Sequence, residues 1–236
     1  MLWLLLLLAS LTFAASPDEV VARVAAVEPY RQMRHETRAP RPSDDDIRKA
    51  AQGTIVSGLS GSTGWGVAVL PVPIGQLWAG LNDETRHPGY TATGFSVIVS
   101  GRACASGRMV FQFLPIPMIS DRWWVSTLSH NTSVSRDSGG SVRELYFRGH
   151  TDPALVTSPA ARKLMVDAEP IGSTRGGWFL VAIDAYTTYV EYHSITDPGA
   201  GVPTSLANRL AAKGVRDTIA AMEKFAKEGR PVCPVY

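Results

Sequence analysis

The chain has 236 residues, of which 45% are hydrophobic and 19% charged, and a formal net charge of +2. The hydrophobic share excludes a disordered chain, and the Lys and Arg residues are scattered instead of forming the stripe that a nucleic-acid backbone requires. The length suits one large domain with a sizeable core.

The apolar run from Leu2 to Ala15, followed by Ser16-Pro17, reads as a signal peptide over residues 1–15. A signal core needs about 7–15 apolar residues and a membrane span roughly 20. No Lys or Arg precedes the run, so an uncleaved anchor or a misplaced start of translation is the alternative. Export to a periplasmic or extracellular compartment is the expectation. In such a compartment the two cysteines, Cys104 and Cys233, form a candidate disulfide; a buried strand thiol and a loose tail thiol are the other option.

Ser16-Pro17-Asp18-Glu19 opens a helix with a Ser cap, Pro in its first position and acids in its first turn. The helix ends near Glu28-Pro29. The Pro- and charge-rich stretch that follows reads as a mobile surface connection, so residues 16–46 form a helix plus linker. Residues 47–57 are ambiguous between helix and strand. From Gly64 the alternation turns β: GWGVAVLPV, then a short helix in PIGQLWAGLND, then strands in GFSVIVSG, GRMVFQF, SDRWWVSTLSH, VRELYFRG, GGWFLVAIDA and TTYVEYHSI. A helical candidate, SPAARKLMVDAE, lies between VRELYFRG and GGWFLVAIDA. The longest helix runs from Pro203 to about Glu228, with Leu206, Leu210, Val215, Ile219, Met222 and Ala226 recurring along one side. A curved antiparallel sheet with one long helix as its only large partner does not fill its own interior, and the expected result is a cavity.

Several catalytic patterns fail on their surroundings. Asp137-Ser138-Gly139-Gly140 has the look of a protease nucleophile loop, but none of His35, His87, His130, His150 and His193 stands where a triad needs it, and the segment reads as a hairpin turn. The run SGLSGSTGWG lacks the Lys-Ser/Thr of a phosphate loop. The histidines are too dispersed for a metal site, and no cofactor is implied. Asn131-Thr132-Ser133 is a formal glycosylation sequon.

The segment from Gly176 to Gly214 resembles the START-like lipid-transfer family of the helix-grip superfamily. The resemblance rests on Trp178 leading a strand, Thr188-x-Val190-x-Tyr192 on the next, and Asp197-Pro198-Gly199-x-Gly201-x-Pro203-x-x-Leu206-x-Asn208 opening the final helix. WGVAVLPVPIGQLWAGLNDETRHPG is similar to the family's first strand and short helix. The resemblance implies an α+β helix-grip fold over residues 47–230, followed by a short tail at 231–236. It also implies one hydrophobic ligand, such as a sterol, phospholipid, fatty acid or polyketide, held between sheet and helix, with transient membrane contact as a candidate second partner. Residues two apart share a strand face and residues four apart a helix face. On that basis the expected pocket holds Trp178, Val190, Tyr192, Leu206 and Leu210, with Trp124 and Tyr146 on neighbouring strands whose inward faces the sequence leaves open. Gly214, unfavourable in mid-helix, is easier to rationalise if a ligand or a moving lid needs the space. The alternative function is a cyclase- or hydrolase-type enzyme using His130 or Glu144 as base in the same cavity.

Overall fold

The computed structural model describes residues 15–117, 119–202 and 204–234, without the side chains of 204–210 and 212. The apolar stretch behind the signal-peptide reading lies outside the described residues, except for Ala15.

Ser16 caps α1 (Pro17–Ala26) through a reciprocal box with Glu19, and Ser43 caps α3 (Asp44–Ala51) in the same way with Asp46. A single turn, α2 (Glu28–Arg31), lies between them. The ambiguous stretch after residue 46 therefore divides: Ile47 to Ala51 is helix, and Val56–Ser60 is β1. Then follow β2 (Thr63–Leu70), α4 (Ile74–Leu81), β3 (Phe95–Ser100), β4 (Arg108–Leu114) and β5 (Arg122–His130). The segment read as a hairpin turn contains a short helix, α5 (Thr132–Asp137), capped by Asn131, before Gly139 and Gly140 make the reversal with positive φ. The chain continues through β6 (Val142–His150), α6 (Pro159–Leu164), β7 (Glu169–Pro170), β8 (Ser173–Ala182), β9 (Thr188–Asp197) and α7 (Thr204–Glu228).

The strands form one open, curved sheet in the order β1-β2-β9-β8-β6-β5-β4-β3, antiparallel throughout, with β7 added in parallel against β5. Long α7 packs across the concave face on β1, β2 and β9 and against α4. Its approach is set by glycine: a Cβ on Gly66 would lie 2.6 Å from Val215, and one on Gly64 3.0 Å from the same side chain. The concave core gathers Ala68, Leu70, Leu180 and Val190 from strands, Leu77 and Leu81 from α4, and Ile219, Met222 and Phe225 from α7.

The convex face is covered too, which corrects the expectation of a single helical partner. Val20 and Val24 of α1, Ile47 and Ala50 of α3 and Val134 of α5 pack on Val67, Val142, Phe179, Val181 and Tyr189. Farther along the sheet, Val156 and Ala161 of α6 pack on Phe111, Phe113, Trp123 and Val125.

The stretch after α1 is likewise no mobile connection. Arg31 and Arg34 are buried against the convex face and both pair with Glu191 of β9, Arg34 at 2.7 Å. Tyr189 donates to the same carboxylate at 2.9 Å, and the Arg34 guanidinium lies 4.7 Å from the centre of the Phe179 ring. The His35 backbone N–H donates to the Glu144 carboxylate, which also accepts from the Asn131 side-chain amide at 2.8 Å. Burial still pushes the Glu144 carboxyl above its ordinary value, outweighing these donors. That Asn131 amide also donates to the Met33 carbonyl at 2.7 Å, so the sequon's nitrogen is engaged within the fold.

Removing one member of a buried ion cluster leaves the others uncompensated, typically at a cost of about 3–5 kcal/mol. Glu191→Ala should therefore lower the unfolding free energy by about that amount in urea titrations. A loss below about 1 kcal/mol, the range of an exposed pair, would show that the cluster is solvated.

Candidate functional site

The helix leans on one side of the sheet, so the concave faces of β4, β5 and β6 stand away from it. Between them lies a cavity of about 460 Å³. Its sheet wall carries Leu128, Leu145, Phe147, Trp178 and Tyr192; Val215 and Met222 of α7 and Leu81 of α4 close it, and Pro115, Ile116 and Pro117 border it. Trp178 and Tyr192 stack at 4.2 Å between ring centres. Burial pushes the Tyr192 phenol up to about 12, so it is neutral at any physiological pH.

Of the residues expected in the pocket, Trp124, Trp178 and Tyr192 line the cavity. Val190 shares the concave face of β9 but is fully buried in the core beside the cavity. The side chains of Leu206 and Leu210 lie outside the described residues. Tyr146 is on the opposite face: Leu145 and Phe147 point to the cavity, while Tyr146 stacks on His35 at 3.7 Å on the convex side. The reason is the two-residue period of a strand, since setting Leu145 inward commits Glu144 and Tyr146 outward. Gly214 borders the cavity, and among the described residues no atom beyond its own helix backbone lies within 4 Å of where its Cβ would stand.

Neither candidate base of the enzyme reading lines the cavity. Glu144 is held under the N-terminal segment, as described above. His130 Nε2 donates to Asn82 Oδ1 at 2.6 Å, and burial, helped by nearby Arg108, lowers its pKa to about 4. Arg108 is fully buried and pairs with Glu84, its Nε at 2.9 Å, while Nη2 donates to Asn82 Oδ1 at 2.9 Å. Glu84 borders the cavity with its charge already compensated. No group of three or more His, Cys, Asp or Glu residues that could hold a metal ion occurs among the described residues.

The cavity is fastened at both ends. At one end Arg122 of β5 donates to the carbonyls of Pro198 at 2.8 Å and Ala200 at 3.0 Å, fixing the Asp197–Gly201 turn that leads into α7. Gly199 and Gly201 both have positive φ there, which few other residues tolerate. At the other end Arg86 donates to the Gly229 and Arg230 carbonyls, Gln76 to that of Ala226, and Cys233 is disulfide-bonded to Cys104. The bridge closes a 129-residue span, for which chain entropy gives up to about 4–5 kcal/mol.

Sequence reasoning missed Gln112, Leu145, Phe147 and the Pro115–Pro117 border. A signal existed for Gln112, a lone amide inside the otherwise apolar strand MVFQFL.

No family model and no curated protein sequence matches the chain. Solved structures do. A STAR-related lipid transfer protein from Xanthomonas axonopodis superposes with a TM-score of 0.59 at 18% identity, covering 74% of this chain and 93% of that one. Human StAR-related lipid transfer protein 5 gives 0.57 at 12% identity, covering 90% and 98%. A START superfamily protein from Mycobacterium smegmatis gives 0.52 at 8% identity, covering 70% and 97%. At these identities the likeness is one of architecture. The chain has the α+β helix-grip fold of START-like proteins.

Proposed function

We propose that the protein is exported and carries one hydrophobic molecule in the cavity between sheet and helix. The observation that carries this reading is the cavity itself: about 460 Å³, walled mainly by aromatic and aliphatic side chains and bordered by a helix glycine. That volume lies within the usual range of about 300–1,000 Å³ for small-molecule sites. Apolar burial is worth roughly 25 cal/mol per Å², so hiding about 400 Å² of ligand gains on the order of 10 kcal/mol before association costs. Tight binding then needs no charged contact. Two of the structural neighbours, both named as lipid transfer proteins, support a lipid-like cargo. Export is supported by the Cys104–Cys233 bridge, because disulfides persist in oxidising compartments.

Native mass spectrometry of protein purified from its source should show one retained apolar molecule per chain. Gly214→Phe should fill the cavity and lower uptake of a fluorescent fatty acid or sterol at least tenfold while thermal unfolding stays cooperative. Unchanged uptake by the folded variant would place the ligand elsewhere. For export, N-terminal sequencing of the mature protein should begin near Ser16, and a sequence starting at Met1 would refute cleavage.

A further inference from the structure

The cavity wall is not uniformly apolar. Three cross-strand partners on β3, β4 and β5 form a polar row on the concave face: Ser96 pairs with Gln112, and Gln112 with Trp124. Directly paired residues of antiparallel strands share a face, with Cβ atoms about 4.5–5.5 Å apart. Ser126, two residues along β5 from Trp124, joins the row.

The hydrogen bonds fix which way the Gln112 amide is turned. An indole N–H can only donate, and that of Trp124 is shared between the Gln112 side-chain amide at 2.9 Å and Ser126 Oγ at 3.0 Å. The Gln112 atom facing it must therefore be the oxygen. Ser126 Oγ donates to that same oxygen at 2.9 Å, which occupies its second lone pair. What remains is the Gln112 NH₂, whose two N–H donors have no partner among the described residues, on a side chain that lines the cavity. A second observation stands beside it. Next to Gln112 on β3, though not itself a lining residue, Ser96 has a buried hydroxyl with no hydrogen-bond partner among the described residues, a costly state for a polar group.

The geometry points to this row as the polar anchor of the cavity: a donor site for a ligand bearing one uncharged acceptor oxygen, a ketone or ester carbonyl. The inference rests on the carrier reading and narrows it. The site donates because both lone pairs of the Gln112 oxygen are already taken. A neutral amide donor suits an uncharged oxygen, and of the charged groups bordering the cavity Glu84 is paired with Arg108 while Arg122 spends four of its five N–H donors on the carbonyls of Ser120, Asp121, Pro198 and Ala200.

The test uses the full mature protein, stripped of lipid, and two fluorescent probes that differ by one carbonyl: 1-butylpyrene and 1-butyrylpyrene. Wild type should bind the ketone about tenfold more tightly than the hydrocarbon, the worth of one hydrogen bond in a dry site. In Gln112→Leu the ratio should fall to about one. Gln112→Glu keeps an acceptor for Trp124 and Ser126 but loses the NH₂, and there the ratio should fall below one. A ratio unchanged in both variants, or both probes weakened equally, overturns the assignment. If neither variant folds, the infrared carbonyl stretch of the ketone bound to wild type decides: a shift to lower frequency supports the donor site, and no shift overturns it. A 4-(1-pyrenyl)butanoate probe that binds more tightly than the ketone and is indifferent to Gln112→Leu would also overturn it, in favour of a carboxylate at Arg122. Failure of every probe to bind wild type overturns the carrier reading itself, and this inference with it.

Discussion

The contact on which the rest depends is the seating of α7 on the bare backbone of β2. With no side chains at Gly64 and Gly66, Val215 and Ile219 reach the strand itself, and the helix is drawn to one side of a wide sheet. One helix of ordinary diameter, about 10–12 Å, cannot also meet strands several positions away, each about 4.8 Å from the last. The side chains of Leu128, Leu145, Phe147 and Trp178 therefore face a space instead of a helix. The cavity is a consequence of geometry: close packing at one side of the sheet leaves the other side unfilled.

Such a space survives only if the surrounding shell is stiff, because an unsupported sheet would collapse onto the helix. The N-terminal segment supplies support from behind. It buries Val20, Val24 and Ile47 on the convex face and inserts two arginines onto Glu191. His193, on the same face of β9, is buried, and its pKa is lowered to about 3 by desolvation first and by Arg34 and Arg175 second. It stays neutral there at neutral pH, adding no further charge beside the arginines. Buried ion clusters of this kind are a weak source of net stability, and here the cluster fixes where the N-terminal segment docks. At the other end the disulfide and the Arg86 contacts hold the end of α7, so the helix cannot slide inward to fill the space.

Much of this was legible in the sequence. The strand alternation, the Asp197–Gly201 turn and the long amphipathic helix located the fold, and two-residue periodicity set Trp178, Val190 and Tyr192 on the face toward the helix, while the inward faces of the strands carrying Trp124 and Tyr146 stayed open. The failures share one cause. A sheet covered on both faces carries apolar residues at both parities, so Leu145-Tyr146-Phe147 offers no polar–apolar contrast to orient the strand. The inward face of β6 is decided by what packs behind it: His35, 109 residues before Glu144, and the loop around Asn131, 13 residues before it. The same segment was misread as mobile because its charges suggest solvent, whereas Arg31 and Arg34 are buried by partners that only the fold brings near. Glu144 attracted attention as a base for the same reason: burial of a carboxylate is visible only once its donors are known.

The most direct test of a ligand held between sheet and helix is photo-crosslinking with a diazirine-bearing fatty acid, mapped by mass spectrometry. Insertion at one molecule per chain should fall on cavity residues such as Phe147, Trp178, Tyr192 and Met222, and a non-photoreactive fatty acid should compete it away. Labelling of convex-face residues such as Tyr146 or Val134, or labelling that resists competition, would contradict a cavity-bound cargo.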